Sequence, residues 1–244
     1  MGQIYLIRHG QASFGSSNYD QLSALGTEQA GMLGKWFAER QQGFDQIVTG
    51  TMMRHRQTAA ACIGTLSGVP AEQDWLADAG FNEYDHDEIL HRHRPEFAEA
   101  GEVRRFLAIT ENANRVFQGI FQAAMTRWMG GEYDSQYRES WPVFRKRCVN
   151  ALERLANTAA ASQSIAVFTS GGTIATLCQH LLYLPDARVF NLNWALVNSA
   201  VTKVYYQAGS RDAGDGHDTQ LTLGYLNNYA HLESFGGRKT VTYR

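Results

Sequence analysis

A chain of 244 residues, 44% of them hydrophobic, is long enough to bury one large core or two small ones. Its 22 Lys plus Arg nearly balance 24 Asp plus Glu, for a formal net charge of -2. That balance excludes a global field for nucleic acid or anionic lipid and leaves any anion binding to local groups of residues.

The opening residues, MGQIYLIRHG, show no basic stretch followed by a long apolar run, and no apolar stretch of membrane-spanning length follows. A soluble, cytoplasmic protein is expected. Ile4 to Ile7 form a run of β-formers that stops at Arg8, His9 and Gly10, as a buried strand ending in a functional turn would. The segment LSALGTEQAGMLGKWFAERQQG, from Leu22, has helical spacing with Thr27 as N-cap and Gly43 as stop signal. A strand, DQIVTG, follows, and Met52 to Leu66 reads as a second helix closed by the breakers SGVP. This alternation predicts parallel strands with right-handed crossovers.

Glu83 to Pro95 packs acids, histidines and arginines together without a period and reads as a surface loop. Phe97 to Trp128 has mixed helical character, with Phe106, Phe117, Phe121 and Trp128 expected to cover core, and GGEYDS connects it onward. The segment ESWPVFRKRCVNALERLANTA is an amphipathic helix whose Pro142 sits in the tolerant first turn. A strand, SIAVFTS, runs into Gly171 and Gly172 and a third helix, TIATLCQHLL. Two strand-like runs, Ala200 to Gln207 and Gln220 to Tyr225, flank the polar loop GSRDAGDGHD as a hairpin. No linker or repeat appears, so one domain over residues 1–244 is expected, with a helical insertion at about 88–136. Cys62, Cys148 and Cys178 are odd in number and lack CxxC spacing, and read as reduced core residues.

Three of these strand ends deliver chemically capable residues: Arg8 with His9, Thr51 with Arg54, and Ser170 with Gly171 and Gly172. Ligands of an open parallel sheet sit outside the carboxyl ends of its strands, so the three segments can converge. Two guanidinium groups with backbone amides at a glycine turn make a receptor for an oxyanion. Neighbouring positive charge disfavours imidazolium and leaves His9 neutral, hence nucleophilic.

These residues also resemble a known family. LIRHGQA is similar to the signature strand and turn of the histidine phosphatase superfamily, which includes the cofactor-dependent phosphoglycerate mutases. TGTMMRHRQTA resembles its second motif, FNEYD its acid and base carboxylate, ESWPVFRKRCVNAL its late helix and NNYAHLE its closing segment. The resemblance implies a phosphoglycerate mutase-like α/β fold: a three-layer sandwich whose mainly parallel central sheet is flanked by helices, with a helical insertion. It implies His9 as the phosphorylated residue, Arg8 and Arg54 as phosphate-binding arginines with Gly171 beside them, and Glu83 as general acid and base. No cofactor or metal is implied, and the partner is a small phosphorylated substrate or phosphate, with no nucleic acid and no membrane.

The departure comes at VFTSGGTIA, where Ser170 stands in place of the family's second histidine. A serine hydroxyl is shorter and uncharged but still donates one hydrogen bond. Losing one oxyanion donor costs about 100-fold to 1000-fold, which leaves room for weak activity. Gly15 is a smaller departure, where many relatives carry asparagine, leaving Ser13, Ser16 and Ser17 as substitutes. Three readings therefore stay open: a phosphomonoesterase, a phosphoglycerate mutase-type phosphotransferase, and a degenerate phospho-ligand-binding protein. Arg56 competes with Arg54 as the binder, and Asp85, Asp87 and Glu88 with Glu83. The cluster Asp85, His86, Asp87, His91 and His93 reads as a polar rim before it reads as a metal site, and His180 and His231 read as structural.

Overall fold

A computed structural model describes residues 1–13, 20–207 and 219–243 of the chain. In chain order these hold β1 (Gly2–Arg8), α1 (Ala24–Glu39), β2 (Gln46–Thr49), α2 (Met53–Ile63), β3 (Leu76–Ala77), α3 (His86–His93), α4 (Glu102–Ile109), α5 (Ala113–Met129), α6 (Trp141–Thr158), β4 (Ser164–Thr169), α7 (Gly171–Leu182), α8 (Asp186–Ala195), β5 (Val201–Gln207), β6 (Gln220–Asn228) and α9 (Ala230–Phe235). They form two compact units, one of residues 1–83 with 148–244 and one of residues 84–147. Among the described residues no helix is long and apolar enough to cross a membrane.

The first unit is built on a six-stranded sheet of order β3-β2-β4-β1-β5-β6. β3, β2, β4 and β1 pair in parallel, whereas β5 and β6 join antiparallel at one edge. The α/β class and the mostly parallel sheet are those that the strand and helix alternation predicts. β1 and β4 lie centrally and are apolar nearly throughout, as strands covered on both faces must be. Tyr5, Ile7, Ala166 and Phe168 share one face, where they pack with Leu33 and Phe37 of α1 and Ala59, Cys62 and Ile63 of α2. The three cysteines are free, buried thiols.

Register places the site. Arg8 pairs with Thr169, and Phe168 with both Ile7 and Thr49, so β1, β4 and β2 end level with one another. The turn after β1 is clamped against the start of α1. A Cβ on Gly10 would stand 2.2 Å from the Gly26 carbonyl oxygen, and one on Gly26 would stand 2.1 Å from that of Gln11. Gly10→Ala is therefore expected to force backbone apart and to destabilise the fold by about 1–3 kcal/mol, read as a lower urea midpoint at unchanged slope.

Local expectations need correction at several elements. The N-cap of α1 is Ser23, whose Oγ accepts from the Gly26 amide at 3.0 Å, and not Thr27. The helix ends at Glu39, short of Gly43. Glu83 to Pro95 is not a loop throughout, since α3 lies inside it, capped by Asp85 accepting from the Glu88 amide at 2.9 Å. Phe97 to Trp128 resolves into a short turn followed by α4 and α5. β3 and α8 were not anticipated, and the hairpin strand β6 runs on to Asn228. The loop at 209–218 lies outside the described residues, as do Gly15, Ser16 and Ser17.

The second unit has its own aromatic core. Trp128 lies 5.2 Å from Tyr84 and 5.3 Å from Trp141 between ring centroids, with Phe144 at 5.6 Å from both Tyr84 and Trp128. Phe106 and Phe117 pack on Phe97. Because Trp141 and Phe144 belong to this cluster, the unit is wider than the stretch 88–136.

Candidate active site

Arg8 ends β1, and its side chain is held in place by a donated hydrogen bond to the Leu196 carbonyl. Its guanidinium passes so close to Gly171 that a Cβ there would stand 3.2 Å from Arg8 Nε and 2.6 Å from Asn193 Oδ1. Glycine at 171 is thus what lets the arginine cross the start of α7.

His9 follows at the strand tip. Its amide donates to the Thr169 carbonyl at 2.9 Å, and its carbonyl accepts from Ser199 N and Asn198 Nδ2, both at 3.2 Å. The ring is buried, and Nδ1 lies 2.7 Å from the Gly10 carbonyl oxygen. A carbonyl only accepts, so the proton of the neutral ring belongs on Nδ1, and Nε2 keeps its lone pair. Nε2 makes no hydrogen bond among the described residues. Burial first, then the charges of Arg54 and Arg8, hold this imidazole well below its ordinary 6.5, against the opposing pull of the Gly10 carbonyl. The neutrality expected from the arginines alone is therefore owed mainly to desolvation.

Arg54 sits on the first turn of α2 and is buried, with Nη1 donating to Asp20 Oδ1 at 3.0 Å. Asp20 also accepts from the Met53 amide at 2.8 Å, so one carboxylate both starts the helix and steadies the arginine. Arg56 points outward to an exposed pair with Glu72 at 2.8 Å, which leaves Arg54 as the arginine on the His9 side of α2. The Arg54 carbonyl accepts from Thr58 Oγ1, which itself accepts from the Gly10 amide at 3.1 Å, tying α2 to the His9 turn.

Glu83 accepts from the Gly172 amide at 3.0 Å through Oε2, placing a carboxylate at the N-terminus of α7. The preceding Asn82 is bound on both sides, its carbonyl accepting from Thr173 Oγ1 at 2.9 Å and its amide group exchanging hydrogen bonds with Thr51 at 2.7 Å. Ser170 is the N-cap residue of α7 and wholly buried, yet its side chain does not cap. Its Oγ instead lies 2.6 Å from Nε2 of His55, a ring whose centroid is 5.8 Å from that of His9.

The structure thus gathers Arg8, His9, Arg54, Glu83, Ser170 and Gly171 around three level strand tips. It adds Asp20 and His55, which the sequence reading passed over. No local pattern in the sequence marks either of them.

Other candidates lie elsewhere. His231 is buried, with Nε2 2.8 Å from Ser199 Oγ, and burial lowers its pKa to about 3. His180 is half-exposed, 3.7 Å from Glu153. Ser13 Oγ donates to the Leu22 carbonyl. In the second unit Asp85 pairs with Arg138 at 2.6 Å and Glu88 with Arg92 at 3.5 Å. Among the described residues no three His, Cys, Asp or Glu side chains group as a metal ion would require.

The sequence matches the profile of the histidine phosphatase superfamily (branch 1) over residues 4–116 and 108–213. No curated protein matches it significantly. Among solved structures, a phosphoglycerate mutase from Bacillus anthracis superposes with a TM-score of 0.62 at 17% identity, covering 95% of each chain. A mutant phosphoserine phosphatase from Entamoeba histolytica in complex with phosphoserine gives 0.60 at 17% identity, over 95% of this chain and 100% of that one. A mycobacterial glucosyl-3-phosphoglycerate phosphatase gives 0.57 at 19%, over 93% and 99%. Likeness at such identity speaks for the fold alone.

Proposed function

The chain belongs to the histidine phosphatase superfamily, branch 1, and on that footing we propose that it is a phosphomonoesterase working through a phosphohistidine on His9. The observation that carries this reading is the neutral, buried His9 ring, with Nδ1–H turned to the Gly10 carbonyl and Nε2 unengaged beside two arginines. Nε2 attacks phosphorus, an N–P bond forms and the P–O bond to the leaving group breaks, while the departing oxygen takes a proton from the Glu83 carboxyl. The ring gains positive charge, which the Gly10 carbonyl stabilises by accepting the hydrogen bond from Nδ1–H. Water then attacks phosphorus and gives its proton to Glu83. The N–P bond breaks, orthophosphate leaves and the free ring is restored.

Arg8 and Arg54 neutralise the phosphoryl oxygens throughout, with Gly171 leaving room for the first of them. The substrate class is a small phosphate monoester. Metal and cofactor have no part in the scheme. We read the whole chain as one catalytic domain, with residues 84–147 as its insertion. Ser170, standing where the resemblance expects histidine, favours a second reading, a protein that binds phosphorylated ligands without turnover. A mutase-type phosphotransferase ranks below both, because the stretch after Glu83 does not resemble that of mutases.

Steady-state turnover of an alkyl and an aryl phosphate separates these. In kcat/KM, which ends at phosphoenzyme formation, Glu83→Gln is expected to cost the alkyl ester about 100-fold to 10,000-fold and the aryl ester, whose leaving group needs no proton, far less, while loss of the water-activating base lowers kcat on both. Equal losses of kcat/KM on both esters would reduce Glu83 to a structural acceptor for the Gly172 amide, and no wild-type turnover of either would favour the binding reading.

A further inference from the structure

We propose that His55 is a positioning residue of this site: it donates Nε2–H to Ser170 Oγ and thereby aims the Ser170 hydroxyl hydrogen at a phosphoryl oxygen held over His9. The inference rests on the phosphatase reading for its chemistry, and on the packing of α2 against β4 for its placement.

The tautomer comes from burial. His55 is fully buried, and its Nδ1 makes no hydrogen bond. That nitrogen faces Gly50, where a Cβ would stand only 2.2 Å from it, so no acceptor fits between. A buried N–H without an acceptor costs on the order of 1–3 kcal/mol, and orphaned donors are rarer than under-used acceptors. Burial, then the charge of Arg54, keeps the ring neutral. Its one proton therefore sits on Nε2, directed at Ser170 Oγ at 2.6 Å.

The hydroxyl's direction follows. Oγ accepts from His55, and the serine's own hydrogen has no acceptor among the described residues. A side chain fully buried with an unspent donor needs an acceptor from outside the protein. Arg8 pairs with Thr169 in parallel register, and the His9 amide binds the Thr169 carbonyl, so His9 and Ser170 are the next residues on adjacent strands. An oxyanion on His9 is the acceptor this geometry provides. A lone hydroxyl would rotate freely; the imidazole fixes it before the phosphoryl group arrives, and such preorganisation is what makes a donor worth having. The ring missing from the tip of β4 is supplied from α2, acting through the serine.

The test is a double-mutant cycle of His55→Phe and Ser170→Ala, read as kcat and KM on an aryl phosphate and as orthophosphate affinity by calorimetry. Each single variant is expected to lower kcat by about 100-fold with little change in KM, and the double variant to be no slower than Ser170→Ala alone. His55→Gln keeps an N–H donor and is expected to recover part of the loss; it also replaces His55→Phe in the cycle if that variant does not fold. Equal cost of His55→Phe with and without Ser170 would reduce His55 to packing and sink the proposal. So would an alkali-labile phosphoenzyme on Ser170, because His55 would then be taking that serine's proton. A wild type that binds orthophosphate with this coupling but turns nothing over ends the phosphatase reading and leaves the arrangement standing. A folded wild type that does not bind orthophosphate ends both.

Discussion

His9→Ala is expected to lower kcat on an aryl phosphate by on the order of 10,000-fold or more and to abolish the phosphoenzyme trapped by rapid quench. In the wild type that intermediate is expected to be acid-labile and alkali-stable, as an N–P bond is. The size of the effect follows from what truncation removes and what it leaves. The backbone at residue 9 stays tied to Thr169, Ser199 and Asn198, so the strand tip keeps its shape. Arg54 keeps Asp20, and Arg8 keeps the Leu196 carbonyl. The anion receptor survives while the nucleophile is gone, so orthophosphate affinity is expected to change by less than about tenfold as kcat collapses. Turnover within tenfold of wild type, or a phosphoryl group found on another residue of the variant, would end the mechanism.

The parts of this protein that were legible in its sequence share one property: their signal is local. β1 and β4 are short apolar runs broken by a polar residue and glycine, and such runs at the centre of a parallel sheet need no partner to be recognised. His9, Arg8 and Arg54 stand in linear patterns at strand ends. α3 was hidden because only Ile89 and Leu90 mark its apolar face among acids, histidines and arginines, and its cap lies in the same polar run. β3 has two residues, too few for a period. Asp20 and His55 lacked any local mark, because their meaning depends on groups distant in sequence: the amide of Met53, and the hydroxyl of Ser170, which α2 meets only once β2 and β4 have paired. At the tip of β4 the resemblance expects a histidine where this chain has Ser170. Only the fold brings a histidine, His55 of α2, against that serine.

Acidification from pH 7.5 to 5.5 is expected to cost the fold about 4 kcal/mol, a large part of an ordinary stability. Among the described residues three histidines are buried in neutral form: His9 and His55, both well below 6.5, and His231, at about 3. Each takes up a proton in the unfolded chain as the pH falls through 6.5 and refuses it in the native state, so the unfolded state binds more protons and stability falls with pH. The contribution is complete above 6.5 and declines below it by about 1.4 kcal/mol per unit for each ring, for His231 down to about pH 3. Urea midpoints across this range measure the total. His231→Gln, which touches Ser199 and not the site, should flatten the slope by about a third. Saturating orthophosphate should flatten it further, because an anion against Arg8 and Arg54 offsets the part of the His9 shift that these charges add to desolvation. A midpoint that stays level between pH 7.5 and 5.5 would mean that these rings are not buried as neutral groups, and the nucleophile would lose its cause along with the acid sensitivity, since both come from the same desolvation.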